Sequence, residues 1–252
     1  MDQKEALIKY CLRLGDNAMI LGHRMSQWSS KGPILEEDIA MSNIGLDLFG
    51  QCRMMFSYAA EVEGQGKTED DWAYKRPERE FYNVILAEQP NGHFGTTIAR
   101  QLLFSLWANF MYRELMSSND QTIAAFATKS IKEIKYHLRH ASQWLIRLGD
   151  GTPESHQKMQ EGLSSLWSYR HELFDIDEVD ETLIAAAIAV DPNQFKEEYE
   201  NRLKELIAEA TLQIPEEGYR AKGGKEGIHS EHLGHILSEF QYLVRAYPDA
   251  KW

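Results

Sequence analysis

The sequence predicts an all-α fold, a bundle of long antiparallel helices, and three observations carry that reading. Apolar residues recur at alternating spacings of three and four along most of the 252 residues, as the core-facing stripe of a helix requires. Period-two alternation, the mark of a half-buried strand, is almost absent. Gly-Pro and Pro-Asn-Gly breaks punctuate the stripes, which sets the element boundaries.

Leu7, Cys11, Leu14, Ala18, Leu21, Met25 and Trp28 form the first stripe, and Gly32-Pro33 ends it. Glu36, Glu37 and Asp38 then place negative charge in the first turn of a second helix, where the macrodipole favours it. Its stripe is Met41, Ile44, Leu48, Cys52, Met55, Ala59 and Val62. Residues 64–76 are polar and predict a loop. Pro77 opens a short helix to about Glu88, closed by Pro90-Asn91-Gly92.

The next helix, Phe94 to Met116, is apolar on nearly every side around Trp107, so it must be covered all round by its own chain or by a partner. Asn119-Asp120 caps a fourth long helix striped by Ile123, Ala127, Ile134, Leu138, Ala141, Leu145 and Leu148. Further helices are expected from Pro153 to about Leu173, from Leu183 to Val190, after Pro192, and from His229 to Ala246. An acidic link holds Asp175, Asp177, Glu178, Asp180 and Glu181. These lengths fit a single domain over residues 1–252, with a core bundle at about 3–148 and appended helices and a loop at about 153–252.

Charge narrows the function. Lysine and arginine total 27 against 39 acidic residues, a formal charge of −12, which opposes binding to nucleic acid or to an anionic membrane. Met1-Asp2-Gln3-Lys4-Glu5 has no charged-then-apolar signal pattern, and no charge-free helical stretch is long enough to cross a bilayer. A cytoplasmic protein is expected. Cys11 and Cys52 lie inside apolar helical patterns without CxxC spacing and read as buried reduced thiols.

A di-iron bundle takes a carboxylate-x-x-His pair from each of two helices, because residues three apart share a face. The corresponding quartets here are Leu46-Asp47-Leu48-Phe49 and Ile134-Lys135-Tyr136-His137. Leu46, Phe49 and Ile134 occupy degenerate ligand positions and His137 is retained, so no metal site is expected. Those apolar side chains should then pack as ordinary core. Glu133 and His137, four apart, leave a single-metal alternative open, that of a self-sufficient metal-binding oxidoreductase. Glu226-Gly227-Ile228-His229 has carboxylate-to-histidine spacing but lies in a glycine-rich loop. Asn43, Asp47 and Gln51 recur every four residues, as a solvated stripe or a buried polar network would.

The segment from Pro215 to the last helix is distinctive. Arg220, Lys222 and Lys225 lie among Gly218, Gly223, Gly224 and Gly227, beside the helix start His229-Ser230-Glu231-His232. Lysines among flexible glycines next to a helix amino terminus are the parts of an anion site. The spacing does not match a P-loop. A loop folded back on the bundle or on a neighbouring chain is the competing reading. Arg220, Lys222, Gly223, Gly224, Lys225, His229, Glu231 and His232 are therefore candidate contacts to a partner or to a ligand phosphate. No nucleophile elbow and no Rossmann glycine pattern occurs.

Four runs carry a resemblance: Ser42-Asn43-Ile44-Gly45-Leu46-Asp47-Leu48-Phe49-Gly50-Gln51, Ala87-Glu88-Gln89-Pro90-Asn91-Gly92, Ile131 to Arg139, and Gly223 to Gly234. They resemble the C-subunit family of the bacterial phenylacetyl-CoA epoxidases, nearly end to end. The resemblance implies a ferritin-like four-helix bundle with additional C-terminal helices. It also implies a multicomponent monooxygenase of phenylacetate degradation, whose catalytic A subunit is a di-iron protein supplied with electrons by a separate reductase.

The C subunit is then the metal-free structural companion, with no catalytic residue and no cofactor of its own. Its implied partners are the A subunit, which would hold most of the phenylacetyl-CoA, the other components of the complex, and a second copy when A is absent. The apolar helix around Trp107 is expected to form a large interface of that kind. A CoA-ester binding protein using the Lys222 to Lys225 loop is the remaining alternative.

Overall fold

In the computed structural model, which describes residues 1–248 and Ala250, the chain is helical and no strand occurs among those residues. It divides into two compact units. Residues 1–89, 178–183 and, among those described, 222–248 form the first; residues 90–177 and 184–221 form the second.

In the first unit, α1 (Gln3–Ser26) begins where the Asp2 side chain accepts from the Glu5 N–H, which satisfies one orphan donor of the first turn. It packs antiparallel against α2 (Leu35–Glu63), which ends at Gly64 in the left-handed region, φ 75°. Gly15 and Gly22, seven apart on α1, face Phe56 and Phe49, seven apart on α2. Each phenyl ring fills the space that a glycine leaves, so the two backbones approach closely. The stripes read from the sequence are the buried faces: Leu7, Cys11, Leu14, Ala18, Leu21 and Met25 on α1, and Met41, Ile44, Leu48, Cys52, Met55 and Ala59 on α2. Both cysteines are buried and free.

The expected loop at 64–76 contains a helix, α3 (Glu69–Tyr74). Thr68 and Asp71 open it with a reciprocal capping box. The helix expected from Pro77 to Glu88 is mostly absent: a 3-10 turn at Glu78–Glu80 leads into extended backbone and a single α-turn, α4 (Ile85–Glu88). The reason is competition for backbone donors. The N–H of Tyr82 donates to Asp16 at 2.9 Å and that of Val84 to Asn17 at 2.8 Å, so the segment is bonded to α1 side chains where a helix would bond to itself.

In the second unit, α5 (Phe94–Leu115) is followed by α6 (Gln121–Gly149), capped by Asp120, which accepts from Thr122 and Ile123. α7 (Pro153–Leu166) carries a Thr152–Ser155 capping box and passes into a 3-10 stretch, Trp167–Phe174, in place of the continuous helix expected to Leu173. Leu102, Leu103, Phe104, Leu106, Trp107, Phe110 and Met111 of α5 are all buried by the chain itself. The apolar face expected to form an interface is thus already covered by the chain itself.

α8 (Glu178–Ala185) lies earlier than the predicted 183–190. Its acidic residues sit in the first turn, favoured by the dipole. Residues 186–188 are drawn out of it: Asn119 donates to the carbonyls of Ala186 and Ala187, and Ser118 to that of Ile188. A 3-10 turn at Pro192–Phe195 leads into α9 (Lys196–Glu209), as the proline predicts. The last helix is two, α10 (Glu231–Phe240) and α11 (Tyr242–Ala246), both in the first unit. They part at Gln241, whose side chain donates to the Ala73 and Arg76 carbonyls.

Candidate functional site

The glycine-lysine segment ends in the first unit on a buried carboxylate. Glu88, fully buried, accepts from four donors: Asn83 Nδ2 at 2.9 Å, His229 Nδ1 at 2.8 Å, and the Ser230 N–H and hydroxyl at 2.6 and 2.8 Å. Two carboxylate oxygens offer about four acceptor sites, so Glu88 has no lone pair left for a metal or a substrate. The other ring nitrogen of His229 lies 2.8 Å from the Phe81 carbonyl. Both nitrogens face acceptors, so the ring carries two protons and is a cation. Burial opposes that charge, but the hydrogen bond and charge of Glu88, the Phe81 carbonyl and Asp16 together raise the His229 pKa above its ordinary value. The pair is a buried, charge-assisted latch.

Beside it, Asp16 is held by Arg76 through both guanidinium ends and by the Tyr82 N–H. Burial pushes the Asp16 carboxyl up; Arg76, Tyr82 and His229 pull it back toward the charged form. Arg76 also lies over the Phe81 ring, 4.2 Å from its centroid. Arg24 donates to the Glu88 carbonyl at 3.2 Å.

A third contact fixes the middle of the loop. Lys225 pairs with Asp180 at 3.2 Å, Arg13 reaches the same carboxylate at 3.3 Å, and Arg13 also donates to the Lys225 carbonyl. Gly227, at φ 75°, lies against the Arg79 backbone, where any side chain would collide.

Of the residues singled out in the sequence, the fold brings Gly224, Lys225 and His229 inward and spends both side-chain charges on internal partners. Gly223 and His232 are half-buried, while Arg220, Lys222 and Glu231 are exposed. Asp16, Arg76, Glu88, Arg13 and Asp180 carry the site and escape the sequence reading. The available signal is Asp16-Asn17, two polar residues inside an otherwise apolar stripe.

The degenerate ligand positions do not all pack as core. Ile134 and His137 are fully buried on α6, Phe49 is half-buried, and Leu46 is 67% exposed. Leu46 lies two residues from both Ile44 and Leu48, which face inward, so the helical period turns it to the opposite side. Of the polar row, Asn43 is exposed, Asp47 half-buried and Gln51 buried, so it runs from solvent to core. Glu133 is half-buried. Among the described residues no group of three or more His, Cys, Asp and Glu has the arrangement to hold a metal ion, and no helix is long and apolar enough to cross a membrane.

Long packed helices, with no strand among the described residues, fit the ferritin-like class. The profile of the family described as phenylacetic acid catabolic protein matches residues 1–252, and the chain belongs to that family. It is 48% identical over 246 residues to the C subunit of 1,2-phenylacetyl-CoA epoxidase from Escherichia coli strain K12, covering 98% of this chain and 99% of that protein.

Proposed function

We propose that the chain is the metal-free structural subunit of a multicomponent phenylacetyl-CoA 1,2-epoxidase, supporting a di-iron catalytic partner in aerobic phenylacetate degradation. The observation that carries this is the 48% identity to an epoxidase C subunit along nearly the full length of both chains. The chemistry of the side chains supports it. Di-iron centres of helix bundles are built from several carboxylates and two histidines. Here Glu88 and Asp16 are saturated by His229, Ser230, Asn83 and Arg76, and His137 follows Ile134 at the spacing where a carboxylate would stand. Leu35, Ile39 and Leu46 leave an apolar row exposed on α2, surface that an assembly has reason to bury. In the same reading, Arg220 and Lys222 are the residues of the glycine-lysine segment free to meet a partner or a CoA phosphate.

The test is co-expression with the di-iron subunit of the same organism, followed by native mass spectrometry and metal counting. A stable assembly whose iron follows the partner is expected. A folded chain that fails to assemble overturns the reading. So does stoichiometric iron in the isolated chain that is lost in His137→Ala.

A further inference from the structure

The first unit contains a cleft that the latch does not use. It opens between α1, α2 and α3 with a volume of about 420 Å³, inside the range of small-molecule sites, roughly 300–1,000 Å³. Met19, His23, Phe49, Cys52, Phe56 and Tyr74 line it. Two sulfur atoms and three aromatic rings make a polarizable, mostly apolar wall. The Cys52 thiol is held uncharged, since burial pushes its pKa well up.

His23 is the polar feature of that wall. Its ring stacks on Phe240 at 4.3 Å and meets the edge of Phe49 at 5.0 Å, which fixes its plane. Burial lowers its pKa to about 4, so near neutral pH it offers one donor and one acceptor nitrogen. Among the described residues neither nitrogen makes a hydrogen bond. Packed rings hold the imidazole in place without using its hydrogen-bonding capacity.

The rim selects by charge. Arg53 is paired with Glu69 at 3.2 Å, and Asp70 adds a second carboxylate at the mouth. The balance at the mouth is negative, on a chain whose formal charge is −12, so an anionic ligand is repelled.

We propose that this cleft binds a neutral, planar aromatic molecule bearing a hydroxyl, its ring among Phe49, Phe56 and Tyr74 and its hydroxyl on His23. The site is independent of any role in an assembly.

Phenol is the probe, titrated to about 10 mM, a range suited to a ligand of this size, into full-length protein carrying 13C-methyl methionine. A saturable shift of the Met19 methyl signal is expected. Phenylacetate, with the same ring and a carboxylate, should bind about tenfold more weakly because of the rim charge. His23→Leu should weaken phenol about fivefold through loss of one hydrogen bond. Asp70→Asn, at an exposed position in the first turn of α3, should tighten phenylacetate and leave phenol unchanged. No saturable shift overturns the proposal, as do phenylacetate binding as tight as phenol in the native protein and phenylacetate unaffected by Asp70→Asn.

Discussion

Gly15 of α1 sits directly beneath the ring of Phe56 of α2: a methyl group added at Gly15 would lie 2.6 Å from Phe56 Cδ1. Gly15→Ala is therefore expected to destabilise the protein by about 1–3 kcal/mol through overpacking, although alanine is the better helix former. Gly50, on the same pair of helices, is exposed with no atom within 4 Å of an added Cβ. Gly50→Ala should stabilise by about 0.5–1 kcal/mol. Urea midpoints of the two variants check the contrast, and a loss in both or a gain in both rejects this account of the α1–α2 contact.

Glu88 has four donors on its carboxylate and no exposure to water. Glu88→Ala removes the partner of a buried cation, a change that typically costs about 3–5 kcal/mol. Unfolding in urea should reveal that loss together with faster proteolysis within residues 222–230. A cost under about 1 kcal/mol would mean that the latch contributes little.

The pH dependence follows from His229, whose raised pKa has a definite sign. A group with a folded pKa above its unfolded value near 6.5 gives stability that is complete below that value and is lost as pH rises through the folded one. The stability difference between native protein and His229→Gln should thus be largest at about pH 6 and shrink by about pH 9. A difference that stays constant across that range contradicts a charged His229.

Leu46 is 67% exposed, so Leu46→Ser should change the stability of the isolated chain by no more than about 0.5 kcal/mol. Ile134, fully buried on α6, should lose about 2–5 kcal/mol as Ile134→Ala. Equal costs at the two positions would mean that Leu46 is packed.

The long helices are legible in the sequence because their stripes are local: Leu7 to Met25 and Met41 to Ala59 need only the helical period to be read. The segment 77–88 is not, because its backbone donors are taken by Asp16 and Asn17, more than sixty positions earlier in the chain. Aligning Leu46 with a ligand quartet misplaces it, whereas the stripe through Ile44 and Leu48 already turns it outward. α3 leaves a signal in Thr68-x-x-Asp71, with aspartate where a capping box usually carries Glu or Gln. At the site, His229 and Lys225 are visible as residue types among glycines. Glu88 and Asp180 are not, since an acidic residue in a charged or turn-rich stretch looks solvated until the fold supplies its cation.

The distance along the chain between Glu88 and its partners sets an order of events during synthesis. His229 and Ser230 follow Glu88 by 141 and 142 residues, roughly 7–28 s at a translation rate of about 5–20 residues per second. Throughout that interval Glu88 has been made and its carboxy-terminal partners have not. Residues 90–177, the larger part of the second unit, emerge meanwhile. The portion made first is the one completed last, and a ribosome stalled before residue 229 holds a chain whose opening helices have not yet been locked.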